Sequence, residues 1–414
     1  MSVPSSRELP SECDVLVVGA GPAGSACATR LAQQGWDVLL IDQQVFPRDK
    51  ICGDALIPDA HAALIRLGAY EQVMQHACVM DHVTVTGPRA GQVDVPARVA
   101  VLPRQQLDDL LCRHAREAGA RFVAPVKFLE PWVHDGRVRG ARLQTDGGVH
   151  LVRARWVVLA TGAQPQPMLA ADLCQRRVPS GIALRGYIEH PEMARKIRSL
   201  QFVYKKALGE GYGWIFPGPD GVFNIGVGLI RIKSADARHS DKAEQNLNQL
   251  FQAFCDSHAP AAQLVQEGRW VKPLRGAPLR CSLQGASAGR PGLLATGEAV
   301  GSTYSLTGEG IGKALETGLL CADALLQGGP GVLDDATEMA VRERYEASLH
   351  RLVPRFELYE RANRIYDHPW LMDLLIWRAR RSPRLLRHMS GLVNETSDPT
   401  RLFSWRGLRR LLLG

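Results

Sequence analysis

The chain has 414 residues, of which 45% are hydrophobic and 22% charged, and its formal net charge is +8. This length suits one large domain or two to three modest ones with a substantial core, and the composition excludes a disordered chain. From Leu371 to Gly414 nine arginines stand against three acids, so this segment carries +6 while the rest is close to neutral. That distribution excludes a general nucleic-acid-binding protein.

The nine cysteines are scattered singly and form no C-x-x-C pair. Their spacing predicts neither a metal site nor a secreted disulfide framework. The sequence shows no basic segment followed by an apolar run at its start, and no run of about 18 apolar residues. These features predict a reducing, cytoplasmic setting.

The first predicted elements form a βαβ unit. Residues 14–18 and 37–42 are short apolar runs typical of buried parallel strands, and residues 22–34 between them form a small-residue helix. Residues 104–117 have the apolar spacing of a helix, and residues 120–126 read as another strand.

Further along, turn signals at 134–137 and 145–148 predict a β-meander that leads into a buried strand at 156–162. Residues 180–232 are rich in strand-forming segments, which predicts a second sheet. The remaining predicted elements are a helix at 240–256, a strand at 292–299, a glycine-started helix at 308–326 and a mostly helical region at 336–414.

This order predicts an α/β fold: a Rossmann-type dinucleotide-binding domain, an inserted antiparallel β-sheet domain for substrate, and a helical C-terminal region. The first domain is expected to be discontinuous. The predicted boundaries are 13–80, 102–175 and 285–335 for the first domain, 81–101 and 176–284 for the second, and 336–414 for the helical region.

The segment "VVGAGPAG" places Gly19, Gly21 and Gly24 in a G-x-G-x-x-G between a strand and a helix. The first glycine allows the tight turn, the second lets a pyrophosphate approach the backbone, and the third allows close packing of helix on strand. Asp42 ends the next strand, where its carboxylate can accept both ribose hydroxyls and would repel a 2′-phosphate. The pattern predicts FAD or NAD rather than NADP.

A second glycine-rich helix start favours FAD. Glu298 follows a buried strand, and Gly308 to Gly312 open the next helix. FAD spans a domain and can use this second site, whereas a simple NAD dehydrogenase has no need of it. Backbone N–H groups at such a helix start stabilise negative charge on reduced flavin.

Taken together, these segments resemble the geranylgeranyl reductase family of FAD-dependent oxidoreductases, whose wider relatives are flavin monooxygenases and halogenases. The matching pieces are "VVGAGPAG", "FPRDKICGDALIP", "LPRQQLDDLL", "GYGWIFPGPDGVFNIGVGL" and "TGEGIGKALETG". They occur in the family's order over about residues 13–326. The resemblance implies reduction of carbon–carbon double bonds in a lipophilic, isoprenoid-like substrate.

The resemblance also implies site residues. For catalysis and the substrate cavity it implies Cys52, Tyr212 and Trp214, with Phe216 beside them. For FAD it implies Gly19, Gly21, Ala23, Gly24, Asp42, Cys52, Gly53, Arg104, Val126, Glu298, Gly308, Gly310 and Ile311.

The sequence departs from the family pattern in three places. Glu298 stands where the family usually has Asp, "ATGAQ" replaces a Gly-Ala-Asp-Gly that related hydroxylases use for nicotinamide, and "STYSLTGEG" lacks a proline before the helix. The electron donor is therefore left open between NAD(P)H, ferredoxin and a flavin reductase.

Cys52 has two interpretations. Reduction of an isolated alkene needs a hydride and a proton, and a thiol beside the flavin can donate that proton. Its sequence neighbours Arg48 and Lys50 are expected to lower its pKa. Alternatively, Cys52 only packs in its loop. Tyr212 and Trp214 likewise suit either the wall of an apolar pocket or the core of the second sheet.

Two rival functions remain at this point. One is a flavin monooxygenase or halogenase acting on an aromatic or carrier-bound substrate, although halogenases of this group commonly show W-x-W-x-I-P, and here only Trp214 stands in "GWIFP". The other is a non-catalytic flavoprotein that binds a partner through its basic tail.

Residues 370–414 interleave Leu, Trp and Phe with Arg. A helix with that pattern presents an apolar stripe beside a cationic one, which predicts peripheral contact with the inner face of a membrane. The same pattern also fits amphipathic helices packed on the protein body.

Overall fold

The computed structural model describes residues 9–230, 246–329, 334–363 and 368–394. The strands in these ranges are β1 (Glu12–Val18), β2 (Val38–Ile41), β3 (Ala55–Leu56), β4 (Cys78–Thr86), β5 (Gln92–Val101), β6 (Arg121–Val123), β7 (Lys127–His134), β8 (Arg137–Thr145), β9 (Gly148–Leu159), β10 (Gly181–Glu189), β11 (Leu200–Val203), β12 (Gly211–Pro217), β13 (Val222–Ile230), β14 (Arg269–Leu279), β15 (Gly289–Arg290) and β16 (Leu293–Ala295).

The α-helices are α1 (Pro22–Ala32), α2 (Pro58–Leu67), α3 (Tyr70–Met74), α4 (Arg104–Glu117), α5 (Pro165–Ala170), α6 (Pro191–Lys196), α7 (Leu247–Ser257), α8 (Ala259–Glu267), α9 (Ile311–Gly328), α10 (Asp335–Ala362), α11 (Pro369–Ala379) and α12 (Pro383–Val393). The helix predicted at 240–256 appears as α7, and its first residues lie outside the described part of the chain.

The first sheet has the strand order β15-β16-β9-β1-β2-β6, with β7 and β8 continuing antiparallel from β9. The central strands β16, β9, β1, β2 and β6 run parallel. Helices α1, α9 and α10 cover one face, and the β7–β9 meander and α5 cover the other. Cover on both faces explains why β1 and β2 read as continuous apolar runs.

The second sheet has the order β14-β10-β13-β12-β11-β4-β5-β3. Its pairs are antiparallel, as predicted, except that β11 runs parallel to β4. These two strands are separated in sequence by much of the first sheet, so no short hairpin fixes their direction. Both β3 and the start of β4 belong to this sheet, so the chain crosses to it before the boundary expected at residue 81.

The two faces of the second sheet differ. Helices α7 and α8 pack on one face with Ile215, Phe223 and Ile225. Because side chains alternate along a strand, Tyr212, Trp214 and Phe216 of β12 point to the opposite face. That face turns toward the first sheet and forms one wall of the candidate site.

The C-terminal helices complete the fold. Helix α10 packs on α9, and the Tyr345 hydroxyl donates a 2.8 Å hydrogen bond to the Ala295 carbonyl. Helices α11 and α12 pack on Val93 and Val95 of β5. The α/β fold with a second sheet and C-terminal helices is thus confirmed for residues up to 394. Among the described residues, no helix combines the length and hydrophobicity needed to cross a bilayer.

Candidate functional site

A cavity of about 1110 Å³ runs between the two sheets and reaches the C-terminal helices. One end begins at the glycine turn after β1, and the other is bounded by α10 and α12. The predicted site residues that line it are Gly19, Gly21, Ala23, Asp42, Cys52, Gly53, Arg104, Val126, Tyr212, Trp214, Glu298, Gly308, Gly310 and Ile311. Gly24 is the exception, because it is buried behind the turn.

The glycine turn has no room for a side chain at Gly19 or Gly24. Gly19 has φ of +103°, and a Cβ there would lie 2.4 Å from the Ala160 carbonyl oxygen. A Cβ on Gly24 would lie 1.8 Å from the Gly19 carbonyl oxygen. Gly21 is the N-cap of α1, whose first N–H groups lack helical partners and face this end of the cavity. The turn is therefore shaped to receive a phosphate against bare backbone.

Asp42 lies at the end of β2 and is buried. Its Oδ2 accepts a 3.0 Å hydrogen bond from the Ala20 backbone N–H, and its Oδ1 accepts one of 3.0 Å from Gln44. The Val126 N–H donates to the Asp42 carbonyl at 2.7 Å, which brings Val126 to the same end of the cavity. The carboxylate is thus fixed beside the glycine turn.

Two arginines join Asp42 to the start of α4. Arg48 donates to Asp42 Oδ2 at 3.3 Å and to Asp108 Oδ2 at 2.8 Å. The buried Arg104 donates to Asp108 through Nε at 2.6 Å and Nη2 at 2.8 Å. A Cβ on Gly21 would lie 3.7 Å from each guanidinium, so both cations approach the phosphate end of the turn.

The structure corrects the prediction for the Cys52 thiol. Burial raises its pKa, and the charges of Arg104 and Lys50 oppose that effect only in part. Arg48 is engaged with Asp42 and Asp108 instead, and Lys50 Nζ lies 3.9 Å from Glu298 Oε2. Cys52 is therefore a neutral thiol rather than a thiolate activated by its sequence neighbours.

The aromatic wall of the cavity comes from β11 and β12. The rings of Tyr212 and Trp214 lie 5.9 Å apart, Trp214 and Phe216 6.1 Å, and Phe202 and Phe216 5.1 Å. The Tyr212 hydroxyl donates to the Thr307 carbonyl at 2.8 Å, and burial raises its pKa, so it stays protonated. The wall is apolar, with its polar atoms directed into the protein.

The second glycine-rich segment approaches the same cavity. Gly308 has φ of +69°, and a Cβ there would lie 2.4 Å from the Tyr212 hydroxyl. Gly310 is the N-cap of α9, and a Cβ would lie 2.6 Å from Thr303 Oγ1. The helix starts later than the predicted residue 308 because that residue has a left-handed conformation. Glu298 Oε1 accepts a 3.4 Å hydrogen bond from the Arg280 N–H.

Comparison with known proteins identifies the family. Residues 12–173 match the model of an FAD binding domain. The chain is 32% identical over 347 residues to the menaquinone reductase of Mycolicibacterium smegmatis, covering 81% of each chain. It is 27% identical to digeranylgeranylglycerophospholipid reductase 2 of Methanopyrus kandleri, again covering 81% of each. The chain belongs to the geranylgeranyl reductase family of FAD-dependent oxidoreductases.

Solved structures support the fold of this family member. A geranylgeranyl bacteriochlorophyll reductase-like protein from Thermoplasma acidophilum superposes with a TM-score of 0.69 at 21% identity, covering 97% of this chain and 96% of the other. A flavin-dependent brominase gives a TM-score of 0.72 at 20% identity, covering 97% of both. At these identities the likeness concerns the fold alone.

The predicted FAD dependence is confirmed, and the glycine turn fits the cofactor. The close packing at Gly19 and Gly24 holds the turn beside β1, Gly21 leaves bare backbone toward the cavity, and Asp42 presents a fixed acceptor at the end of β2. The start of α9 offers a second set of N–H groups, beside Tyr212 of the aromatic wall. As a member of this family, the protein is an FAD-dependent oxidoreductase.

Four residues outside the predicted site hold the Cys52 loop against the second sheet: Asp54, Arg185, Tyr187 and Asn224. A local signal existed for one of them, because Arg185 is a charged residue inside an apolar strand run. Asp54 and Asn224 lie in the matched segments "FPRDKICGDALIP" and "GYGWIFPGPDGVFNIGVGL", but their contacts, and that of Tyr187, appear only once β10 and β13 lie beside the loop.

Replacing Asp42 with Ala is expected to weaken FAD binding by about 1–3 kcal/mol, because the buried carboxylate predicted to accept the ribose hydroxyls is lost. Arg48 would also lose one of its two carboxylates. Fluorescence titration of the apoprotein with FAD measures the effect. Asp37→Ala is the control, since Asp37 is exposed just before the same strand and pairs with Arg121. Equal affinities for FAD in the wild type and Asp42→Ala would contradict the assigned role.

Proposed function

We propose that this protein reduces carbon–carbon double bonds in the isoprenoid chain of a lipid. The observation that carries the proposal is the cavity, which is continuous from the FAD-binding turn along the aromatic wall to α12. Relatives at 32% and 27% identity are named for menaquinone and digeranylgeranylglycerophospholipid, and both of these molecules carry isoprenoid chains. A long apolar cavity suits that chain better than a compact aromatic substrate.

The proposed chemistry needs one hydride and one proton for each double bond. Bound FAD, once reduced, supplies the hydride. The neutral Cys52 thiol is assigned as donor of the proton to the other carbon and is then reprotonated from solvent. Tyr212, Trp214 and Phe216 are assigned to exclude water and align the chain. The hydroxyl of Tyr212 is committed to Thr307, so we assign it no proton transfer.

The proposal is tested with anaerobically reduced holoenzyme. We expect oxidised flavin absorbance to return when digeranylgeranylglycerophospholipid, which has double bonds but no quinone ring to accept electrons, is added without oxygen. NADH, NADPH, reduced ferredoxin and a flavin reductase are compared in a separate arm as donors to the oxidised enzyme. No flavin reoxidation by any unsaturated isoprenoid lipid, together with rapid reoxidation by oxygen and an aromatic substrate, would favour a monooxygenase.

We further propose that α11 and α12 rest on an anionic membrane surface. Trp370 and Trp377 of α11 are 57% and 48% exposed, and Arg384 and Arg387 of α12 are also exposed. The inner side of α12 contributes Met389, Leu392 and Val393 to the end of the cavity. A lipid chain collected from the bilayer would therefore have a short route to the aromatic wall. The rest of the predicted contact, residues 395–414, lies outside the described part of the chain.

Cosedimentation with liposomes tests this surface. Each basic residue near an anionic surface contributes about 1 kcal/mol, so Arg384→Gln with Arg387→Gln should weaken binding roughly tenfold or more. The matched control replaces Arg113 and Arg116, two exposed arginines of α4, with Gln. Binding should persist in the control and decline at high salt. If the α12 double variant and the α4 double variant bind liposomes equally, α12 does not contact the membrane through these arginines.

A further inference from the structure

Two residues after Cys52 lies a fully buried carboxylate, that of Asp54. Its backbone has φ of +67°, a conformation that Asp and Asn tolerate better than most residues. A buried carboxylate is costly unless several donors satisfy it. Its partners therefore show what the residue holds in place.

Three donors from separate elements converge on this carboxylate. The Arg104 N–H at the start of α4 donates to Oδ1 at 3.3 Å. The Tyr187 hydroxyl of β10 donates to Oδ2 at 2.5 Å, and Nδ2 of Asn224 in β13 donates to the same oxygen at 2.7 Å. Asp54 thus ties the loop to both the FAD-binding domain and the second sheet.

The same partners fix the backbone of Cys52. Asn224 Nδ2 donates to the Cys52 carbonyl at 2.7 Å, and Arg185 Nε donates to it at 3.3 Å. Arg185 also donates to the Lys50 carbonyl at 3.1 Å and to Asp49 Oδ1 at 2.7 Å. The Asp54 N–H points back to Cys52 Sγ at 3.4 Å. The thiol is therefore held by a network whose centre is Asp54.

We propose that Asp54 is a positioning residue that, through Tyr187 and Asn224, fixes the Cys52 thiol at the cavity wall. The inference rests on the proposed function, because a fixed thiol matters most if it donates a proton to the substrate. Asp54 lies in the same matched segment as Cys52, "FPRDKICGDALIP", whereas Tyr187 lies outside the matched segments.

The charges around Asp54 give the network a pH dependence. Burial raises the pKa of Asp54 to about 6. The hydrogen bonds from Tyr187 and Asn224, and the positive charges of Arg185 and Arg104, lower this pKa but do not cancel the effect of burial. Cys52 and Tyr187 are neutral because their pKa values are raised, and Asp49 is paired with Arg185. Protonation near pH 6 therefore removes an acceptor from the network.

The sign of the stability effect follows from the same shift. Because the folded-state pKa lies above the ordinary value of 3.8, ionisation of Asp54 opposes folding. Below the ordinary pKa of 3.8, protonated Asp54 makes its full contribution to the free energy of unfolding. That contribution is lost as the pH rises through about 6. Ionised Asp54 at neutral pH thus orders the loop at a cost in global stability.

Two variants isolate the network. Asp54→Asn keeps the size and the left-handed backbone but replaces one acceptor oxygen with a donor. Tyr187→Phe removes a single hydroxyl. The matched control is Tyr345→Phe, since Tyr345 is equally buried and donates one hydrogen bond of 2.8 Å to the Ala295 carbonyl, away from the loop.

The readout is alkylation of Cys52 in the holoenzyme by iodoacetamide at fixed pH, followed by peptide mass spectrometry. Half-buried Cys174, outside the cavity, is the internal reference. Losing a hydrogen bond to a buried charged group should speed the labelling of Cys52 about tenfold in Asp54→Asn and Tyr187→Phe. Tyr345→Phe should match the wild type, and labelling of Cys174 should be unchanged throughout.

Turnover supplies the second readout. With equal FAD content, Asp54→Asn should lower kcat for the unsaturated lipid about tenfold with little change in KM. In a plot of kcat against pH, the wild type should lose activity below about pH 6, and Asp54→Asn should not show that decline. Unchanged labelling of Cys52 in both variants would overturn the positioning role. Faster labelling without lipid reduction by the wild type would support the positioning role and refute the proposed function, so the two failures are distinguishable.

Discussion

Replacing Gly24 with Ala is expected to abolish FAD binding and to destabilise the protein by about 3 kcal/mol or more. The added Cβ would lie 1.8 Å from the Gly19 carbonyl oxygen and 3.1 Å from the Ala160 Cβ. Because the nearest atom belongs to the backbone of the glycine turn, α1 can only move away from β1. Thermal unfolding and the ratio of flavin to protein after purification measure both effects.

The control is Gly147→Ala in the turn between β8 and β9. A Cβ there would meet Thr145 Oγ1 at 3.5 Å, which is ordinary contact, and the backbone is not left-handed. This variant should keep its FAD and its melting temperature. A Gly24→Ala protein with full flavin content and wild-type melting would refute the role given to the turn.

Replacing Cys52 with Ala is expected to slow formation of the reduced lipid about a hundredfold or more, the range for loss of a general acid. The flavin spectrum and the rate of flavin reduction by the donor should change little, since the residue is assigned to the substrate rather than to FAD. Rapid mixing separates the two half-reactions. Wild-type turnover in Cys52→Ala would leave Cys52 as a wall residue.

Cys174→Ala controls for the loss of a thiol as such. Cys174 is also half-buried, and its thiol donates to the Arg176 carbonyl at 3.2 Å, but it does not line the cavity. Its replacement should leave both half-reactions unchanged. A similar loss of turnover in the two variants would attribute the effect to general destabilisation.

The sequence predicts those parts of the site that depend on local pattern. The bounds of the predicted helix at 104–117 agree with α4, because Leu107, Leu110 and Leu111 give a clear apolar face. The predicted strand at 120–126 ends earlier, at Val123, because Pro125 has no N–H for the sheet. The glycine turn and Asp42 follow from spacing alone.

The sequence does not predict contacts between distant segments. Asp54 and Asn224 are 170 residues apart, and Asp54 and Tyr187 are 133 apart, yet both pairs are hydrogen-bonded. The predicted lowering of the Cys52 pKa was wrong for the same reason. The direction of its pKa shift depends on burial against residues distant in sequence, including those of α4 and α9, rather than on Arg48 and Lys50, the nearest cations in sequence.

Mass spectrometry of a lipid incubated with the anaerobically reduced holoenzyme distinguishes reduction of the isoprenoid double bonds from the alternative reactions. The lipid is menaquinone with an unsaturated isoprenoid tail, and the product is exposed to air before analysis so that any quinol returns to quinone. We predict a gain of two hydrogen atoms per reduced double bond that survives air oxidation. A gain that disappears in air would mean reduction of the ring, and a gain of one oxygen atom would mean oxygenation; either result would contradict the proposed double-bond reduction.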